Sequence, residues 1–247
     1  MQSGTRRIRL DSKLRRASMH LTMFVPRVIV FDLDGTLLDT SEDIAAACNH
    51  ALRATGRREL KTEVIRRYVG DGARKLCARA AGLTEGDDEL DVVVDAFMTY
   101  YLEHPADQAR WMPGAEQALE QVRGMTFALC TNKPRRVTNE LLEAMSMTDR
   151  FAVVVGGGDV RAGKPEPEGL LAIAAALRVD PREMVMVGDG PQDVLAGRAA
   201  GCRTIAVSCG YNARGVLAQH RPDVILESLA DLNTIMRRWC ESTVRSR

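Results

Sequence analysis

Six short apolar runs, each separated from the next by a longer stretch, constrain the fold more than any other feature of this chain. They are RVIVFD (27–32), MTFALC (125–130), FAVVV (151–155), MVMVGD (184–189), RTIAV (203–207) and DVIL (223–226). Most are continuously apolar rather than alternating in polarity. A strand buried on both faces reads this way, because both rows of its side chains meet packed layers. Amphipathic stretches lie between them, at 115–122, 136–145, 168–177, 193–200 and 229–239. Strand–helix–strand repetition predicts an α/β fold: a Rossmann-like parallel sheet with helices on both faces.

One interval breaks this rhythm. Between residues 40 and 110 no run reads as a strand. Thr40-Ser41-Glu42-Asp43 has the form of a helix start, with an acid three residues after a threonine. Ile44, Ala47, Cys48, Ala51 and Leu52 follow at helical spacing. Residues 60–69, 73–81 and 88–103 read as further helices, and Gly70-Asp71-Gly72 separates the first two of these. The expectation is an all-helical module over residues 40–110, inserted into an α/β core of residues 27–39 and 111–247. The short stretches beside residues 38–40 and 110–114 serve as its linkers.

Composition narrows the class. A chain of 247 residues with 45% apolar and 27% charged residues suits a soluble globular protein with a sizeable core. A net charge of +1 gives no bulk argument for nucleic acid or membrane. Residues 1–22 carry six basic residues and one acid, so they hold +5 and the rest of the chain −4. This head has no long apolar run, which argues against a signal peptide or membrane helix. Residues 1–26 read as a basic, disordered extension. An Arg-rich transit-like peptide is the alternative, and Met23 is a possible start. The head has no interleaved aromatic residues, so nucleic acid is not expected as a partner. Six cysteines without CxxC spacing read as reduced thiols in a cytoplasmic protein. Four scattered histidines make a zinc site improbable. Monomer and small homo-oligomer both stay open.

The polar residues that follow the apolar runs suggest chemistry. In open parallel sheets, ligands bind beyond the carboxyl ends of the strands. The first run ends in Asp32 and Asp34, the second in Thr131, Asn132 and Lys133, and the fourth in Asp189 with Asp193 four residues on. A loop after the third run holds Gly163-Lys164-Pro165. Two carboxylates as close as Asp32 and Asp34 raise one another's pKa, so they need either a solvated turn or a cation between them. Taken singly, each set has an ordinary reading: Asp34-Gly35 and Asp189-Gly190 as turns, Thr131-Asn132 as a helix cap, Lys164 as a surface lysine. Together, and all at strand ends, they converge on one edge of the sheet.

The motifs DLDGT (32–36), TN (131–132), Lys164 and GDxxxD (188–193) occur in the order found in the haloacid dehalogenase superfamily of phosphotransferases, which this chain resembles from Val28 to about Leu232. The helical module resembles that family's small cap. The resemblance implies an aspartate nucleophile, Asp32, and a general acid and base, Asp34. It implies Mg²⁺ on the carboxylates of Asp32 and Asp189 and the backbone carbonyl of Asp34, with Asp193 in support. Thr131, Asn132 and Lys164 are the expected phosphate-binding residues. Gly190 stands where the family commonly has serine, which puts the role of Asp193 in question. VGDGARKLCARA (69–80) and GDGPQDVLAGRAAGCRTIAVSCGY (188–211) are similar to phosphoglycolate phosphatases, whose substrate is a small phosphomonoester with a carboxylate. Arg74, with Lys75 beside it, reads first as part of a solvated helix face and second as a candidate to hold that carboxylate. The alternatives are a phosphatase of a sugar phosphate, nucleotide or pyrophosphate, or a phosphomutase. A dehalogenase is disfavoured because Asp34 is present. A phosphonate-cleaving enzyme would need a cap lysine, and Lys61 and Lys75 lie in no recognisable context for one. A catalytically silent binding protein is the non-enzyme alternative, which the intact Asp32 and Asp34 oppose.

Overall fold

The computed structural model describes residue 24 and residues 26–244. The basic head, with the disorder expected of it, lies outside the described residues. Its expected boundary is corrected, however. The Phe24 ring packs edge-on against Trp239 with centroids 5.1 Å apart, and Pro26 is buried. An aromatic ring that can cover apolar surface here is held by it, so ordered chain reaches back before residue 27.

In chain order the elements are β1 (Val28–Phe31), β2 (Leu38–Asp39), α1 (Ser41–Ala54), α2 (Thr62–Arg66), α3 (Ala73–Ala81), α4 (Glu89–Glu103) and β3 (Arg110–Trp111). Then follow α5 (Ala115–Gln121), β4 (Thr126–Pro134), α6 (Arg135–Ala144), β5 (Val153–Gly157), α7 (Glu168–Leu177), β6 (Met184–Gly188), α8 (Pro191–Ala200), β7 (Arg203–Val207), α9 (Arg214–Gln219), β8 (Val224–Leu226) and α10 (Leu232–Val244). Six strands form one sheet in the order β5-β4-β1-β6-β7-β8, every pair parallel.

The continuous apolar character of the runs has the expected cause. Ile29, Phe31, Phe127, Leu129, Val185 and Val187 face a cluster completed by α5, α6 and α10. Their alternates Val28, Val30, Ala128, Met184 and Met186 face a second cluster completed by α7 and α8. The two-residue period of a strand splits one apolar run between two cores.

Helices α1 to α4 build a separate apolar cluster, in which Ile44, Cys48 and Leu52 of α1 meet Leu76, Leu90 and Phe97. Both connections to the sheet pass through a small ribbon that the sequence reading did not foresee. Strands β2 and β3 pair antiparallel, Leu38 opposite Trp111 and Asp39 opposite Arg110. Two residues a side are too few to show a periodicity. The start of α1 also differs in detail. Its first-turn amide at Ser41 donates to the Asp39 carboxylate at 3.2 Å, and the Ser41 hydroxyl does so at 2.7 Å. Thr40 makes no side-chain cap, and Asp43 accepts from the Gln108 amide instead of closing a capping box. The stretch 229–239 opens as a short 3₁₀ turn, Leu229–Asp231, before α10 begins. Helix α8 starts at Pro191, which suits the first helical position, so Asp193 lies in its first turn.

Candidate active site

The register of the sheet assembles the site. Phe31 lies opposite both Leu129 of β4 and Val187 of β6, so the carboxyl ends of these three strands come level. The residues just beyond are Asp32, Thr131 and Asp189. The loop after β5 brings in Lys164, and the first turn of α8 brings in Asp193.

Lys164 is the hub. Its ammonium lies 2.8 Å from Asp32 Oδ1 and 2.6 Å from Asp193 Oδ1, with all three side chains buried. The other oxygen of Asp193 accepts from the Gly190 amide at 2.9 Å. Asp189 Oδ2 accepts from the Tyr211 amide at 2.6 Å, and its Oδ1 from the Thr36 hydroxyl at 3.3 Å. One oxygen each from Asp32, Asp189 and Asp193 lies within 4.8 Å of the others. Burial pushes the Asp32 carboxyl up to about 7, and Asp193 adds to the rise while Lys164 opposes it. Asp189 is held well above the usual carboxylate range by burial, then by Asp193 and Asp32. Burial works against the charge of Lys164, but Asp193 and Asp32 outweigh it and raise its pKa.

Three carboxylates around one ammonium carry an unbalanced charge of −2 when ionised. That donor set, all hard oxygen and buried, fits a divalent cation. The Asp34 side chain is not part of it. Its Oδ1 accepts from the Thr40 hydroxyl at 2.6 Å and from the Lys133 ammonium at 2.9 Å. Lys133 is itself buried and donates to the Tyr101 hydroxyl of α4.

Two glycines carry the close approaches. Gly35 has φ of +80°, and a Cβ there would stand 2.6 Å from Asp189 Oδ2. A side chain at Gly190 would meet Gln192 at 2.1 Å. Gln192 therefore occupies the space beside residue 190, and Asp193 is held through the Gly190 amide without help from a serine.

Asp32, Asp34, Thr131, Asn132 and Lys133 line one side of a cavity of about 30 Å³. Ile44, Val69, Leu76, Phe97 and Tyr101 line the other side, with Gly70 and Gly72 between α2 and α3. The space admits about two waters as it stands. Asn132, expected at phosphate, commits both amide hydrogens elsewhere: Nδ2 donates to the Gly70 and Lys164 carbonyls, each at 2.8 Å. Arg74, a candidate for a substrate carboxylate whose first reading is a solvated helix face, pairs with Asp91 at 2.5 Å in an exposed position and with the Glu85 carbonyl, and lines no part of this cavity. Lys75 borders a different surface cavity with Arg79 and Glu85. The sequence reading placed Lys133 at the end of the second run and Thr40 at a helix start but gave neither a role in the site, and it gave none to Tyr101 or Tyr211. Lys133 had a signal, since it directly follows the Thr131-Asn132 motif. Tyr101 had none, because only tertiary contact brings α4 over the strand ends.

The sequence profile of the haloacid dehalogenase-like hydrolases matches residues 29–207, a span that holds every one of these strand-end groups. The chain belongs to this family. Two of the family's curated proteins are among its relatives. Phosphoglycolate phosphatase 1 of Pseudomonas aeruginosa is 36% identical over 215 residues, 84% of this chain and 79% of that protein. Phosphoglycolate phosphatase of Neisseria meningitidis is 37% identical over 217 residues, 83% of this chain and 92% of that protein. A crystal structure described as a predicted phosphoglycolate phosphatase from Haemophilus somnus superposes with a TM-score of 0.77 at 28% identity, covering 87% of this chain and 99% of the other. Among the described residues, no helix is long and apolar enough to cross a membrane, and every described cysteine is a free thiol.

Proposed function

We propose that this family member is a Mg²⁺-dependent phosphomonoester hydrolase that cleaves 2-phosphoglycolate to glycolate and phosphate. Asp32 beside Lys164, with the Asp189 and Asp193 carboxylates against them, is the observation that carries the reading. A carboxylate oxygen of Asp32 attacks phosphorus as the bond from phosphorus to the leaving oxygen breaks. The protonated Asp34 carboxyl gives its proton to that oxygen, so glycolate leaves as an alcohol. A water then attacks the aspartyl phosphate. Asp34 takes its proton, the bond from Asp32 to phosphorus breaks, and inorganic phosphate is released with both carboxyls restored. Thr40 and Lys133 both hold Asp34 through Oδ1, which leaves Oδ2 for the proton.

Thr131 and nearby backbone amides hold phosphate oxygens, and Lys164 neutralises the same charge. Asn132 acts from a step back, fixing the Lys164 loop through its hydrogen bond to the Lys164 carbonyl. Asp32, Asp189 and the Asp34 carbonyl, supported by Asp193, would hold Mg²⁺, which would supply the positive charge that lets a phosphate dianion approach these carboxylates. Residues 40–110 act as a cap that closes over the core and excludes water. The cytoplasm is the expected compartment, because the thiols stay reduced there.

The test is phosphate release from a panel of phosphomonoesters, with Mg²⁺ and with EDTA, for wild type and Asp32→Asn. Metal-dependent release that the substitution abolishes, fastest on 2-phosphoglycolate, is the expected result. A sugar phosphate or nucleotide at the top of the panel overturns the substrate and keeps the mechanism.

A further inference from the structure

The cavity poses a question that the phosphate chemistry leaves open. Of the described residues lining it, only Asp32, Asp34 and Lys133 are charged. Among these Lys133 is the single cation, because Lys164 lies behind Asp32. The Lys133 side chain is 2% exposed, and a buried ammonium needs partners for its charge. It has three hydrogens to donate. One goes to Asp34 and one to the Tyr101 hydroxyl, with the ammonium 4.4 Å from the centre of the Tyr101 ring. Among the described residues the third has no acceptor.

Lys133 also sits on the leaving-group side. Asp32 is where phosphorus must come, and Asp34 is where the leaving oxygen must come. A group attached to the leaving oxygen therefore reaches past Asp34, towards the cation bound to it. Opposite stands the first turn of α3, where Gly72 gives no side-chain cap and Gly72 and Ala73 line the cavity. The first amides of a helix have no acceptors of their own and favour an anion. Arg74, which heads the same helix, is turned away to Asp91.

We infer that Lys133, with the uncapped first turn of α3, is the specificity element of this site and holds a carboxylate carried by the leaving group of the phosphomonoester. This rests on the function proposed above and assigns its substrate selectivity to one side chain. Lys133 discriminates a phosphomonoester that bears a carboxylate close to its ester oxygen from one of similar size that does not. The contact with Asp34 is then its resting partnership, shared with the ligand once one binds.

The experiment compares kcat/KM for 2-phosphoglycolate with kcat/KM for ethyl phosphate, which lacks the carboxylate, in wild type and Lys133→Met. Both rates are expected to fall in the variant, since Lys133 also touches Asp34. The ratio between them is expected to shrink about 30-fold, mainly through KM for 2-phosphoglycolate, which is the size of one hydrogen bond between charged groups. Glycolate should inhibit wild type and lose that inhibition in the variant. If methionine does not fold, Lys133→Gln reads the same ratio, because its shorter amide side chain still carries hydrogen-bond donors but no charge. Equal losses on both substrates, with the ratio unchanged, overturn the inference and make Lys133 a positioning residue for Asp34. Wild type that hydrolyses both substrates equally well also overturns it, while the hydrolase stands. Release from neither substrate by folded wild type overturns the phosphatase reading itself, and this inference with it.

Discussion

The two halves of the cavity wall are built on opposite plans. The sheet half supplies charge: Asp32 and Asp34 line it, Lys164, Asp189 and Asp193 stand behind, and Lys133 faces in. The helical half supplies Ile44, Val69, Leu76 and Phe97, with one hydroxyl at Tyr101. The helical half has ion pairs too, but Arg57–Glu89, Arg74–Asp91 and Arg79–Asp71 all lie towards solvent. Charge held at strand ends cannot wander, because parallel register fixes each strand against two neighbours. In the proposed function, the apolar wall over it would exclude water and strengthen every electrostatic contact below. On the proposed function, one half performs the chemistry and the other sets the medium in which it happens.

The sharpest way to break this division is at the nucleophile. Asp32→Asn keeps the shape of the sheet half and removes the attacking carboxylate. Phosphate release is expected to fall by about 10⁴-fold or more, with the melting curve showing a folded protein. A fall of less than tenfold would move the chemistry elsewhere.

Next in size is Lys164→Met. It leaves three buried carboxylates without their cation, and urea denaturation of the metal-free protein should show a loss of about 3–5 kcal/mol. Mg²⁺ should return part of it. A loss below about 1 kcal/mol would mean that solvent reaches the cluster more freely than its burial implies.

The same cluster makes a pH prediction of smaller size. The folded-state pKa of Asp32 is raised to about 7 from an ordinary 3.8. The stability from this raised carboxyl is therefore present below about pH 4 and is lost as pH rises through about 7 in the metal-free protein. Protons and Mg²⁺ compete for the same oxygens. The rise in Tm on adding Mg²⁺ should thus be larger at pH 8 than at pH 5.5. An equal rise at both values would place the metal away from Asp32 and Asp189.

The smallest effect belongs to the helical half. Arg74→Ala removes an exposed pair and should change stability by less than about 0.5 kcal/mol and KM for 2-phosphoglycolate by less than about threefold. A tenfold rise in KM would return the carboxylate to Arg74 and sharpen the contrast with Lys133.

Much of the architecture was legible in the chain because it repeats. Six apolar runs became six parallel strands, since burial on both faces writes itself into every residue of a strand. The strand-end residues Asp32, Thr131, Asp189 and Asp193 were legible for a related reason: each directly follows or closely trails an apolar run, and parallel topology carries all such ends to one edge. Features made of few residues were not legible. The β2–β3 ribbon pairs two residues a side. The capping of α1 passed to Asp39 because Thr40 had a stronger claim from Asp34.

The sequence by itself determined the strands of the sheet and the order of its chemistry-bearing loops, because these follow from local polarity and spacing, and its four motifs carried the resemblance to the family. Only the tertiary structure decided which cation faces which anion. Lys133 and Arg74 look equally free along the chain, yet one is buried between Asp34 and Tyr101 and the other is spent on Asp91 in solvent. The physical reason is that an ion pair depends on the inverse distance between groups far apart in sequence, and no periodicity along the chain records that distance.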